Sequence, residues 1–231
     1  MRGMRGMRLD LRLEAPQWLL IVAMWLMAAL EWPSAPARIP VHWNASGQVN
    51  GYGGKVEGLL LLPAMTAVIY VLLLLLPRID PGRANYAQFR VPYAIIRLSF
   101  VVLMAGIYAV TLLWIRGTHL DIAAIVPIAV GLLFVVLGSL MGKLRPNWFV
   151  GIRTPWTLSS KRAWVNTHRL GGWVFLALGL LFVVTGILRR AWFAPLTVGA
   201  LIVGVLVLVV YSYLEWRRDP QKLPPGGTLP G

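Results

Sequence analysis

Few residues in this chain have the types and spacing for chemistry, and most of them fall in one stretch. "PNWFVGIRTPWTLSSKRAWVNTHRLGGW", Pro146 to Trp173, mixes tryptophans, basic residues and hydroxyl residues with one histidine and no acid. Arg153 lies beside the hydroxyls of Thr154 and Thr157. Such a set can bond backbone carbonyls or grip a phosphate or carboxylate. His168 has neither a nucleophile nor a carboxylate near it in sequence, so a catalytic role lacks its partners. The chain has no cysteine, which excludes disulfides, thiolate catalysis and Cys-based metal sites.

A second polar set is "RIPVHWNASGQVNGYGGKVEG". His42, Trp43, Asn44, Gly47, Asn50, Tyr52 and Lys55 could form a recognition surface there. "IPVHW" has the composition of a short strand, and Asn50-Gly51 is a tight-turn signal. The residues from Ser46 to Glu57 have EF-hand spacing, but their first three ligand positions carry no carboxylate to offset dehydration of Ca²⁺. The histidines have no helical i, i+4 partner for zinc. No residue is assigned as catalytic, cofactor-binding or metal-ligating, and the chain is not expected to be an enzyme.

The elements that must position these sets are membrane spans. The chain has 231 residues, 58% hydrophobic and 13% charged, against about 25% charged in a soluble domain. Apolar runs reach the roughly 20 residues that cross a bilayer as a helix. Six spans are expected, near 17–32, 57–77, 92–115, 120–141, 171–189 and 192–214. The fold class is therefore all-α, a polytopic integral membrane bundle. Of the 22 Lys and Arg residues, 16 fall on one side of that topology and 5 on the other, with Arg97 inside a span. Positive charge stays inside, so both termini and the loop 142–170 are expected in the cytoplasm and the loop 33–56 outside. The net charge of +14 then serves the lipid bilayer, with no direct nucleic-acid partner.

Within the inward stretch, Pro155 disfavours helix at Thr154. Thr157 or Ser159 can cap a helix running to about Leu170, with Gly171 as its stop. Trp164, Thr167, His168 and Gly171 share one face of it, and Lys161, Arg162, Val165 and Arg169 lie around another. That pattern predicts an amphipathic helix lying in the interface. Gly172, Gly179 and Gly186 recur every seven residues, and Gly138, Gly142, Ala200 and Gly204 add small positions for close helix packing. Arg97 is expected to snorkel. No acid is expected deep in a span, which argues against a proton-coupled transporter. "SAPA", Ser34 to Ala37, has the form of a cleavage site, but the bulky Trp18, Trp25 and Trp32 favour retention of the first span.

The motif residues Asn147, Gly151, Arg153, Thr154, Pro155, Trp156, Thr157, Trp164, Thr167, His168 and Arg169, with Ser160, Gly171 and Gly172, resemble the signature of the SdpI family. These are immunity proteins for the sporulation-delaying killing peptide. "IPVHWNASGQVNGYGGK" resembles the domain of unknown function that often accompanies that family. The resemblance implies a small helical protein of the bacterial cytoplasmic membrane that protects against a membrane-active toxin. It implies a secreted toxin peptide as partner on the outer face. In the namesake system toxin presence is also signalled to a repressor, which implies a repressor protein as partner on the cytoplasmic face. Residues 1–80 would form a two-span unit with the ordered loop 33–56, residues 81–216 a four-span unit carrying loop 142–170, and residues 217–231 a disordered tail. The alternatives are a transporter or exporter of a small amphiphile, or a lipid-modifying enzyme using Arg153 and His168.

Overall fold

The computed structural model describes residues 10–190, 192–225 and 227. The described residues form a bundle of six long helices with a small β-hairpin at one end. Helix α1 spans Leu11–Glu31, with the Asp10 carboxylate accepting from the Arg12 N–H as its cap. Strands β1 (Ile39–Trp43) and β2 (Val49–Gly53) pair antiparallel. A π-helical turn, Val56–Leu60, leads into α2, Leu61–Ile79. A 3₁₀ turn, Arg83–Gln88, precedes α3, Arg90–Ile115. Then come α4 (Ile122–Met141), the one-turn α5 (Pro155–Leu158), α6 (Lys161–Leu188) and α7 (Phe193–Arg217). Each of the six long helices is long and apolar enough to cross a membrane. The expected helical membrane bundle is present, and the protein is multi-pass.

The closest packing is between α4 and α6. A Cβ on Gly131 would lie 2.6 Å from the Gly179 carbonyl oxygen, and one on Gly138 would lie 2.8 Å from that of Gly172. One on Gly186 would lie 2.6 Å from the Ala124 carbonyl. Ala124, Gly131 and Gly138 therefore run antiparallel against Gly186, Gly179 and Gly172, each set at seven-residue spacing. A seven-residue repeat keeps one face of each helix on the seam. Small residues there bring backbones into contact where lipid supplies no hydrophobic force. Gly204 on α7 faces Val174 and Leu178 of α6. Gly142 meets nothing within 4 Å, so it is not part of this face, whereas Gly131 is.

The charge inside the bundle differs from expectation. Arg97 does not snorkel. It is 3% exposed and pairs with Glu14, itself 4% exposed. Helix α1 starts six residues earlier than its apolar run, so Glu14 lies inside the bundle. Its second oxygen accepts from the Tyr70 hydroxyl at 2.9 Å, and that hydroxyl accepts from the Trp18 indole N–H at 2.6 Å. Trp18 is thus turned toward α2 instead of anchoring at the surface through its indole N–H. The Arg97 guanidinium also lies 4.5 Å over the Tyr93 ring. A buried carboxylate is therefore present, and the sequence-based objection to proton coupling does not hold.

Gly179→Ala is expected to lower the thermal stability of the purified protein by about 1–3 kcal/mol through overpacking of the α4–α6 seam. Gly199→Ala, in α7 with open space around it, is expected to be neutral or stabilising by about 1 kcal/mol from helix propensity. Thermal unfolding in detergent measures both, and equal midpoints would show that the seam does not hold the bundle.

Candidate functional site

The motif stretch folds as a cap at the end of the bundle where α1 and α3 begin and α7 ends. It is built around buried polar side chains. Asn147 is 1% exposed. Its amide donates to the carbonyls of Arg145 (2.9 Å) and Val150 (3.0 Å). Its oxygen accepts from the N–H groups of Phe149 (3.0 Å) and Val150 (2.7 Å). One side chain thereby closes the loop that follows α4. Beneath it, Asp80 accepts from the Gly82 N–H at 2.6 Å, the Trp148 N–H at 3.0 Å and the Tyr86 hydroxyl at 2.8 Å. Burial, and then the hydrogen bond to this carboxylate, push the Tyr86 hydroxyl pKa above its ordinary value. Asp80 and Tyr86 were not singled out in the sequence. An acid next to a Pro-Gly turn at a span end is a weak signal on its own.

His168 and Gly151 are one device. Gly151 has φ +109°, and a Cβ there would lie 2.4 Å from His168 Nε2. The Ile152 N–H donates to that same Nε2 at 3.0 Å. Nε2 therefore carries no proton, and Nδ1 holds it for the Trp164 carbonyl at 2.8 Å. His168 is a neutral strut between the loop and α6, stacked on Trp164 with ring centroids 4.1 Å apart. Trp164 is 1% exposed, and its indole donates to the Leu144 carbonyl at 3.1 Å. Thr167 is buried with no partner for its hydroxyl among the described residues.

Two helical expectations are corrected here. The interfacial helix ending at Gly171 does not exist as a separate element; its residues are the first turns of α6, which runs without a break to Leu188. The Trp164 and His168 face meets protein because Gly171 and Gly172 admit Ile152 and the Gly138 carbonyl. The cap is also neither Thr157 nor Ser159. Ser160 accepts from the Ala163 N–H and starts α6. Thr154 is extended, as Pro155 requires, and forms a reciprocal capping box with Thr157 around α5. The Thr154 hydroxyl also meets that of Ser212 on α7 at 3.0 Å.

Arg153, exposed, donates to the Trp148 carbonyl at 2.6 Å. Trp156 packs edge-on against Tyr213 at 5.4 Å, and Arg169 is exposed. Arg162 and Asn166 instead reach Glu215 of α7, at 2.9 and 2.5 Å. The tail expected to be disordered is held as far as Leu223; Gly226 and residues 228–231 lie outside the described residues. The Leu223 N–H donates to the Ser159 carbonyl at 2.9 Å, and Asp219 accepts from the Ser160 hydroxyl at 2.5 Å. Burial alone would raise the Asp219 carboxyl, but Ser160, the Gln221 and Arg162 backbone and the Arg162 charge hold it below its ordinary value.

At the other end, the hairpin turn is Asn44–Gln48. The Asn44 side-chain oxygen accepts from the N–H groups of Ser46 and Gln48, both at 3.0 Å, and Gly47 has φ +77°. Asn50-Gly51 is not the turn. It sits inside β2 opposite His42, where pairing is irregular on both sides of His42 and a Gly51 Cβ would press on the His42 Cβ at 2.9 Å. His42 Nδ1 meets the Asn50 side-chain oxygen at 2.5 Å. Trp43 is half-buried. Arg38 lies 4.9 Å over the Tyr52 ring, and Tyr52 stands edge-on to Trp114. Lys55 donates to the Trp32 carbonyl at 2.7 Å. The structure thus separates the two expected residue sets to opposite ends of the bundle. Among the described residues no group of three His, Cys, Asp or Glu is placed to hold a metal.

Residues 143–212 match the SdpI/YfhL protein family. Residues 19–67 match a domain of unknown function, DUF1648. The chain is 19% identical over 183 residues to the immunity protein SdpI of Bacillus subtilis (strain 168), across 79% of this chain and 86% of that one. No solved structure matches the chain. The resemblance carried by the motif and by the hairpin segment is borne out.

Gly151→Ala is expected to cost about 2 kcal/mol or more, from strained backbone and the lost Ile152–His168 bond; thermal unfolding measures it, and an unchanged midpoint refutes the strut. A lowered carboxyl pKa stabilises the fold above the unfolded-state value, and that stability is lost as pH falls through the folded value. Asp219→Asn should therefore lower stability at neutral pH and flatten its acid decline.

Proposed function

We propose that this chain protects a bacterial cell against a membrane-active toxin peptide, with the hairpin end outside and the motif end in the cytoplasm. The supporting observation is that the SdpI-matching stretch, 143–212, carries the ordered cap together with α6 and most of α7, while the DUF1648-matching stretch supplies the hairpin at the opposite end. A relative named for immunity spans most of the same length. Sidedness rests on the 16-to-5 charge asymmetry, and a location in the cytoplasmic membrane is part of the same proposal. The peptide meets the face carrying His42, Tyr52 and Arg38. The motif end, whose exposed residues include Trp148, Arg153 and Arg169, is the surface for a cytoplasmic repressor. The chain acts without catalysis: His168 is committed to backbone partners on both nitrogens. Residues 1–80 and 81–216 serve as the receiving and reporting units. A second reading, export of a small amphiphile, gains support from the buried Glu14–Arg97 pair.

Sensitive cells expressing the chain are expected to grow at higher concentrations of the cognate membrane-active peptide. Tyr52→Ala, at unchanged membrane level, should reduce the tolerated concentration about tenfold, the loss of one well-placed aromatic contact. Arg153→Ala should leave protection intact and abolish any repressor recruitment. No protection by the wild-type chain overturns the reading, and full protection by Tyr52→Ala removes the hairpin as the receiving face.

A further inference from the structure

The seam between α1 and α3 holds two acid–arginine pairs at different depths. Asp10 and Arg90 pair at the mouth, 3.7 Å apart, with side chains 33% and 57% exposed. Glu14 and Arg97 pair inside, both under 6% exposed. Asp10 and Glu14 are one turn apart on α1, and Arg90 and Arg97 are seven residues apart on α3, so each helix presents both members on one face. Seven residues of helix rise about 10 Å, which sets the inner pair well within the span.

The inner pair is not fully bonded. Arg97 gives one nitrogen to Glu14, while its Nε and Nη1 have no partner among the described residues. Gln17, 0% exposed, uses its amide nitrogen on the Ala94 carbonyl at 3.3 Å and leaves Oε1 without a partner. Ala94 and Arg97 are one turn apart, as are Glu14 and Gln17, so these donors and this acceptor lie along the same seam. A closed structural ion pair satisfies its hydrogen-bonding groups, since each buried orphan costs about 1–3 kcal/mol. A pair with spare donors and a spare acceptor beside it is suited to hold proton-carrying water.

We propose that Glu14 is a proton-binding site inside the bundle, loaded from the motif end past Asp10 and Arg90. The Glu14 carboxylate takes one proton from water and becomes the neutral acid, and Arg97 keeps its charge. The titratable and charged groups that meet Glu14 are Tyr70 on α2 and Arg97 on α3; Tyr93 lies under the Arg97 guanidinium, and the Asp10–Arg90 pair stands at the mouth. Tyr70 donates to Glu14 and accepts from the Trp18 indole N–H, which cannot accept in return, so Tyr70 keeps donating to the carboxyl once Glu14 carries the proton. Uptake replaces the ion pair with a neutral acid beside a free guanidinium, which loosens α1 from α3.

The test is infrared difference spectroscopy on the full chain in lipid nanodiscs, titrated with acid in H₂O and D₂O. The wild type is expected to develop the carbonyl stretch of a buried protonated carboxyl. Glu14→Gln should lack that component, and Glu14→Asp should restore one at a shifted frequency. Tyr70→Phe, which keeps the carboxylate and removes one hydrogen bond, should move the midpoint by about tenfold in proton concentration. If Glu14→Gln does not accumulate, the Tyr70→Phe shift alone decides. A band present in Glu14→Gln, or a wild-type titration unmoved by Tyr70→Phe, overturns the proposal.

Discussion

The rest of the structure depends on the backbone contact between α4 and α6. Lipid is as apolar as the side chains it surrounds, so these helices gain little by hiding leucines from it. They gain by bringing backbones within van der Waals reach, which only residues without bulky side chains allow. Gly131 against Gly179 and Gly138 against Gly172 achieve this along the seam. The consequence appears at the end of the bundle. With α4 and α6 held together, the loop leaving α4 lies directly over the first turns of α6. Trp164 then reaches the Leu144 carbonyl, and His168 reaches the Ile152 N–H.

The polar cap follows the same economy. A loop that leaves and re-enters a bundle has backbone groups to satisfy, and water reaches only its outer side. Asn147, Asp80, Thr154, Thr157, Ser160 and His168 each bond backbone groups, so the loop is ordered with only the single turn of α5 as regular structure. Asp80 and Asp219 come from outside the matched motif's core, one from the end of α2 and one from beyond α7. They tie the end of α2 and the segment after α7 to the cap. The residues left exposed, Trp148, Arg153 and Arg169 among them, are held in place by bonds made beneath them. At the hairpin end Tyr52, with Arg38 just before β1, belongs to a small sheet packed on the π-helical turn and α3 through Ile39, Leu59 and Leu112.

Among the described residues, the ion pair buried on both sides, Glu14 with Arg97, lies in the half nearer the N-terminus. The α4–α6–α7 side relies on glycine contacts and on hydroxyl pairs such as Thr185 with Thr197 at 2.7 Å. The α1–α2–α3 side carries Glu14, Gln17, Tyr70 and Arg97. A protein that changes state needs one region whose interactions can be exchanged at low cost, and a close-packed glycine seam is a poor candidate for it.

The sequence by itself determined the class and number of helices, because span length and composition are local properties set by bilayer thickness. It determined the glycine stripe on α6, because a seven-residue period is visible along one strand of chain. It also marked the motif and the hairpin as ordered, through residues that only turns and caps require. Tertiary structure decided the partners. The inward-facing Trp164 and His168 read equally well as a face for lipid, since amphipathic periodicity gives a direction and not what lies there. Glu14 stood outside the apolar run that defined the first span, so its place in the bundle depended on α3 bringing Arg97 to meet it. The hairpin turn fell not at Asn50-Gly51 but at Asn44–Gln48, where the Asn44 side chain bonds the Ser46 and Gln48 N–H groups and Gly47 takes the positive φ. Asp80, Glu215 and Asp219 were single acids at span ends until distant donors gave each of them a function in the cap.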